Sequence, residues 1–243
     1  MNSIELKALS KQFGSRTAVD KLTLSVEQGT VFGLLGQNGA GKTTTIKMLC
    51  GLLAPSSGNA LIEGISVTDK PQEVKKLVAV SPQETAVAKQ LTVFENLEFV
   101  AEIYGASRST AKETAQEMLL RFGLADRAKD KAKSLSGGMA RKLSIAMALI
   151  SKPKVLFLDE PTLGLDVRAR RELWRVIGEL NGKMTVVLTT HYLEEAQALC
   201  SRIAIMSCGS LRTLGTAEEI MKQSNTGNFE DAFLFFTEKE EEK

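Results

Sequence analysis

The segment Gly36-Gln37-Asn38-Gly39-Ala40-Gly41-Lys42-Thr43-Thr44 restricts the fold more than any other stretch of this chain. It matches Gly-x-x-x-x-Gly-Lys-Thr in full and follows Val31-Phe32-Gly33-Leu34-Leu35, an apolar run expected of a strand buried on both faces of a parallel sheet. The glycines let the backbone curl until successive N–H groups converge, and a helix starting near Thr43 adds positive potential at its N-terminus. Such a turn takes phosphate. Gly36, Asn38, Gly39, Ala40, Gly41 and Thr44 supply the cradle, Lys42 reaches the outer phosphate oxygens, and the Thr43 hydroxyl is a ligand for Mg²⁺.

A second segment fits the first. Val155-Leu156-Phe157-Leu158 is an apolar strand that delivers Asp159 and Glu160 at its C-terminal end, the edge where ligands bind in open α/β sheets. Neighbouring strand residues point to opposite faces, so the two acids can serve different ends. Asp159 is placed to serve Mg²⁺ through water, and Glu160 to polarise the water that attacks a terminal phosphate. Loop and strand together read as a nucleoside triphosphatase. A third segment, Leu135-Ser136-Gly137-Gly138-Met139, puts a serine and two glycines at a helix start. It reads either as a second anion site or as a plain glycine turn. If the former, one chain carries two phosphate-gripping helix starts but a single lysine to go with them.

The pattern along the chain agrees with this. Residues 3 to 35 read as β, with Leu22, Leu24 and Val26 alternating with polar neighbours. A helix is expected from Thr43 to Leu53, stopped by Ala54-Pro55. Further strands are expected at Ala60–Ile62 and Leu77–Val80. After Gln83 the period changes. Thr92-x-x-Glu95 opens a helix with a capping box, a second runs from Thr110 to Phe122, and a third from Ser136 to Ile150. Strand signals return at Lys154–Leu158, Met184–Thr189 and Arg202–Met206. The expected layout is a core of residues 1–84 and 151–227, an inserted helical lobe over 85–150, and a tail over 228–243 that ends in Glu238-Lys239-Glu240-Glu241-Glu242-Lys243, a solvated end. There is no internal repeat.

The 31 basic and 29 acidic side chains leave a net charge of +2, which gives no support for nucleic acid as a partner. No run approaches the roughly 18 apolar residues of a membrane span, and the N-terminus has no signal-peptide core. Cys50, Cys200 and Cys208 are odd in number and unpaired in spacing, as in a reduced cytosolic setting.

On these motifs and their order, the chain resembles the ATP-binding subunit of ABC (ATP-binding cassette) transporters over nearly its whole length. The resemblance implies a P-loop NTPase (RecA-like) α/β core with a mainly parallel sheet, an N-terminal antiparallel β subdomain and an inserted helical subdomain. It implies ATP and Mg²⁺ as cofactors. Leu135–Met139 is similar to the family's LSGGQ signature, with Met139 in place of glutamine. The resemblance then puts Ser136, Gly137, Gly138 and Met139 on the ATP of a second subunit, in a head-to-tail dimer with itself or another such subunit. Phe13 matches the aromatic residue that stacks on adenine, although a core phenylalanine fits the sequence equally. Gln83, which alone carries no signal, matches the glutamine that senses Mg²⁺ and the γ-phosphate. Asp166, in Leu163-Gly164-Leu165-Asp166, matches the loop that crosses the dimer interface; it also reads as a plain N-cap. His191, the chain's one histidine, follows a strand and matches the residue that holds Glu160 and water in line. Gln37 departs from the family's usual proline, without removing a phosphate ligand.

The resemblance further implies multispanning permease subunits as partners, met on the cytoplasmic face of the membrane, with Phe94 and Phe99 as candidate contacts. Leu-Ser-Gly-Gly-Met, His191-Tyr192-Leu193-Glu194-Glu195-Ala196 and Glu230-Asp231-Ala232-Phe233-Leu234 are most similar to ABC-2 type exporters, among them drug and antibiotic-resistance systems. The alternatives are an importer ATPase and a cassette that acts on DNA or ribosomes. Against the last, Gln83 and Ser136 are 53 positions apart (136 − 83), too few for an inserted coiled coil, and the chain holds one such domain rather than two.

Overall fold

In the computed structural model, which describes residues 1–238, two sheets pack over a shared core. The first is built from β1 (Asn2–Phe13), β2 (Arg16–Glu27), β4 (Ser57–Ile62) and β5 (Ile65–Ser66), in the antiparallel order β2-β1-β4-β5. Its alternation is the one expected: Leu22, Leu24 and Val26 are buried between exposed neighbours. The register between β1 and β2 shifts several times, and Ala8 and Lys21 adopt left-handed φ of 49° and 43° at these irregularities.

The second sheet holds β3 (Val31–Gly36), β6 (Val78–Ser81), β7 (Val155–Asp159), β8 (Thr185–Thr190), β9 (Arg202–Ser207) and β10 (Ser210–Gly215). Its order is β10-β9-β3-β8-β7-β6, parallel throughout except for β10. Every residue of β3, β7 and β8 is buried, which is why β3 and β7 read as nearly continuous apolar runs. Helix α1 (Lys42–Leu49) lies between the sheets, with Ile46 and Leu49 packed among Leu6, Phe32 and Val187. It stops short of the expected Leu53. Cys50 caps it and Gly51 turns the chain at φ 65°, so a glycine C-terminal stop acts before Pro55 can. Leu77, expected in a strand, instead closes the short helix α2 (Pro71–Leu77).

Between β6 and β7 the chain forms α3 (Val93–Ile103), α4 (Arg108–Arg121) and α5 (Gly137–Leu149). Thr92 and Glu95 make both bonds of the capping box, with Glu95 N donating to Thr92 Oγ1 at 3.1 Å and Thr92 N to Glu95 Oε2 at 2.7 Å. Helices α6 (Val167–Gly178) and α7 (Leu193–Leu199) follow β7 and β8. Helices α8 (Ala217–Ser224) and α9 (Phe229–Glu238) cover β9 and Leu35. The aromatic stretch near the C-terminus is thus α9, with Phe229 and Phe233 in the core. Most of the charged end, residues 239–243, lies outside the described residues.

Candidate functional site

The parallel register brings the C-terminal ends of β3, β7 and β8 to one edge, where Leu35 pairs with Thr190 and Asp159 with Thr189. The loop between β3 and α1 curls over this edge. Gly41 is the N-cap of α1 at φ 103°, and a Cβ there would sit 2.5 Å from Ala18 O, so only glycine fits. No side chain caps the helix at Gly41, and its first residues, Lys42, Thr43 and Thr44, line the cleft. Lys42 is only 6% exposed; its Nζ donates to Gly36 O (2.7 Å) and Gln37 O (3.2 Å) and lies 3.2 Å from Glu160 Oε1.

The two acids at the end of β7 diverge, as their alternation requires. Asp159 Oδ1 accepts from Thr43 Oγ1 (3.1 Å) and Thr189 Oγ1 (2.6 Å). Glu160 is 5% exposed and sits at φ 49°, a left-handed conformation that costs a non-glycine residue about 1–2 kcal/mol. Its amide is held by Thr189 O and Oγ1, at 3.2 and 3.0 Å. The carboxylate bridges the site: Oε1 meets Lys42 and Oε2 meets His191 Nδ1 at 2.8 Å. Thr43 and Asp159 present neighbouring hard oxygens, with Gln83 lining the same cleft, a donor set that suits Mg²⁺ sharing its remaining positions with phosphate and water.

Around this edge is a cleft of about 500 Å³. Of the sequence-derived candidates, Phe13, Asn38, Gly39, Ala40, Gly41, Lys42, Thr43, Thr44, Gln83, Glu160 and His191 line it. Gly36 and Asp159 lie just beneath, bonded to Lys42 and Thr43. Ser136, Gly137, Gly138, Met139 and Asp166 are not in its lining. Ser136 caps α5 and accepts from Met139 N at 3.3 Å; Asp166 caps α6 and accepts from Ala169 N at 2.9 Å. Phe13 is half exposed, not core, with Lys11 Nζ 5.2 Å from its ring centroid. Of the two other phenylalanines, Phe94 packs against the core, whereas Phe99 is 53% exposed.

Three residues escaped sequence reasoning. Arg16 enters the cleft because the β1–β2 hairpin pairs it with Phe13, a position readable from the turn at Gly14. Arg141, on α5, is 4% exposed and spends its whole guanidinium on backbone. Nε donates to Pro161 O (2.8 Å), Nη1 to Pro82 O and Gln83 O (3.2 Å), and Nη2 to Asp159 O (2.8 Å) and Glu160 O (2.6 Å). Burial lowers its proton affinity, and nearby Asp159, Glu195 and Glu160 oppose that. Glu195, on α7, is fully buried, and burial raises its pKa. Thr190, Thr162 and Trp174 pull it back, the last by donating Nε1 to Glu195 Oε1 at 3.1 Å.

Residues 19–163, more than half of the chain, match the sequence family described as ABC transporter. The chain is 40% identical over 218 residues to the linearmycin resistance ATP-binding protein of Bacillus subtilis, covering 89% of this chain and 70% of that one. It is 43% identical over 219 residues to the daunorubicin/doxorubicin resistance ATP-binding protein of Streptomyces peucetius, covering 90% and 66%. It matches the human phospholipid-transporting ATPase ABCA3 at 42% identity, across 92% of this chain but 13% of that much longer protein. A solved ATP-binding subunit of an ABC transporter superposes with a TM-score of 0.84 at 30% identity, covering 96% of this chain and 98% of the other. Among the described residues no helix is long and apolar enough to cross a membrane.

Proposed function

This chain belongs to the ABC transporter family as an ATP-binding, ATP-hydrolysing subunit, and from that premise we propose that it drives export through a separate multispanning membrane subunit. The resistance proteins of Bacillus and Streptomyces support the direction of transport. The observation that carries the chemistry is the Glu160 bridge. One carboxylate, buried at a strand end, touches both the phosphate-loop lysine and the only histidine.

In this reading the adenine ring stacks on Phe13, and the triphosphate lies along the amides of Gly39 to Thr44. Lys42 exchanges its carboxylate contact for β- and γ-phosphate oxygens, which releases Glu160 Oε1 toward water. Glu160 then takes a proton from the attacking water, while His191 holds the carboxylate from its other side. Thr43, Asp159 and Gln83 would hold Mg²⁺, which draws charge from the phosphate oxygens. Ser136, Gly137, Gly138, Met139 and Asp166 do not line the cleft of their own chain, which supports their acting on a second copy or a related subunit in a head-to-tail dimer. The residues over 85–150 form the lobe that carries this signature, with 1–84 and 151–227 as core, onto which α9 of the C-terminal segment packs through Phe229 and Phe233. Phe99, Ile103 and Tyr104 on or just past α3, 53 to 63% exposed, face the membrane subunit on the cytoplasmic side.

Replacing Glu160 by Gln tests the assignment. The amide keeps the shape of the site but cannot accept the proton, so ATP binding should persist while turnover falls roughly a hundredfold or more. Gel filtration should show a dimer that forms only with ATP. A fully active variant removes the base from the scheme.

A further inference from the structure

Helix α6 touches both the start of α5 and the His191 loop. Toward α5 the approach is close: a Cβ on Gly138 would lie 2.8 Å from Ala169 Cβ. Lys142 Nζ pairs there with Glu172 Oε2 at 2.7 Å. Toward the His191 loop, Trp174 Nε1 is anchored on the buried Glu195 carboxyl. Arg170, one residue past Ala169, places its guanidinium 5.7 Å from the ring centroids of both Trp174 and Tyr192. Tyr192 lies next to the site, its ring 4.2 Å from that of His191 and tilted by 41°.

Arg170 differs from two of the three other arginines of α6, Arg168 and Arg175; Arg171, like it, makes no ion pair among the described residues. Arg168 pairs with Glu172 (3.4 Å) and Arg175 with Glu179 (2.5 Å), whereas among the described residues Arg170 makes no ion pair. Its position is set by two aromatic faces, which a planar guanidinium stacks upon more readily than an ammonium does. His191 needs such support. Its Nδ1 is tied to Glu160, but one hydrogen bond leaves the ring free to tilt about that axis. The Tyr192 face removes this freedom, and Arg170 holds Tyr192 in place from α6.

We infer that Arg170 is a positioning residue, which clamps Tyr192 against His191 and makes the histidine's aim at Glu160 depend on where helix α6 stands. A movement at the signature end, Ser136 to Gly138, meets Ala169 directly and reaches His191 through the next side chain. The inference rests on the proposed role of His191.

The test is steady-state ATP hydrolysis by the full chain carrying Arg170→Ala, His191→Ala or both. Losing two cation–π contacts should lower kcat about tenfold, or about 1.4 kcal/mol of barrier, with the KM for ATP within about twofold of the original. Arg170→Lys, which keeps the cation but not the plane, should fall between. In the His191→Ala background, Arg170→Ala should cost nothing more, because the residue it positions is gone. A wild-type kcat in Arg170→Ala, or losses that multiply in the double variant, overturns the relay while leaving His191 in place. Unchanged turnover in His191→Ala alone overturns both the relay and the role it serves. Should Arg170→Ala not fold by circular dichroism, Tyr192→Phe and Tyr192→Leu decide instead. The phenyl ring should keep kcat and leucine lose it, and equal rates overturn the inference.

Discussion

Replacing Arg141 by Lys isolates what a guanidinium does that a charge alone cannot. Arginine carries five N–H donors in a fixed fork, and here each is aimed at a different carbonyl: Pro82, Gln83, Asp159, Glu160 and Pro161. Lysine keeps the charge and thus its burial cost, so that unfavourable term largely cancels in the comparison. What changes is donor count. An ammonium offers about three donors from one atom, so at least two carbonyls lose their partner, at about 1–3 kcal/mol each. Glu160 O is the one best able to bear the loss, since it also accepts from Leu163 N at 3.2 Å. A total of roughly 4 kcal/mol is a large share of the typical 5–15 kcal/mol stability of a folded domain. At about 2–4 °C per kcal/mol for a chain of this size, the melting temperature should drop on the order of 10 °C. Circular dichroism melts without nucleotide, with urea unfolding as a check on cooperativity, measure it. A shift below about 2 °C would mean that the five bonds contribute nothing beyond charge, and the reasoning fails.

Two further predictions concern residues on either side of this arginine. Ser136→Arg should abolish turnover yet leave nucleotide binding to each chain intact. Mixing it with Lys42→Ala should restore one working site per dimer if the signature acts on the other subunit, and no recovery would mean that each chain uses its own. Glu195→Gln should flatten the pH dependence of stability. Burial raises the Glu195 pKa above its unfolded value, so the folded chain holds a proton that the unfolded chain releases. Its contribution is full below the ordinary carboxylate range and is lost as pH rises through the raised pKa. Melting temperatures of the wild type should therefore decline relative to Glu195→Gln on the alkaline side of that range, and parallel curves would contradict the sign.

What could be read in the sequence was what neighbouring residues decide among themselves. The strand–glycine–helix turn over Val31 to Leu49 and the capping box at Thr92 and Glu95 are local bargains, struck within a few positions. Strand β10 escaped because its hairpin lacks the usual marker. Cys208 and Gly209 both take positive φ, 49° and 80°, as a tight two-residue turn demands, but a cysteine fills the place where asparagine or aspartate would have given the turn away. Arg141 was hidden for a deeper reason. Its partners lie 18 to 59 positions away, and all are carbonyls, which every residue has. A side chain that recognises another side chain leaves two marks in a sequence, whereas one that recognises backbone leaves only its own, and a helical arginine is by default a solvated one. The same holds for Arg170, whose place is fixed by the faces of Trp174 and Tyr192 rather than by an opposite charge. The residues that meet nucleotide carry a chemical pattern, while those that aim them are fixed by long-range packing, so the sequence reveals the former and conceals the latter.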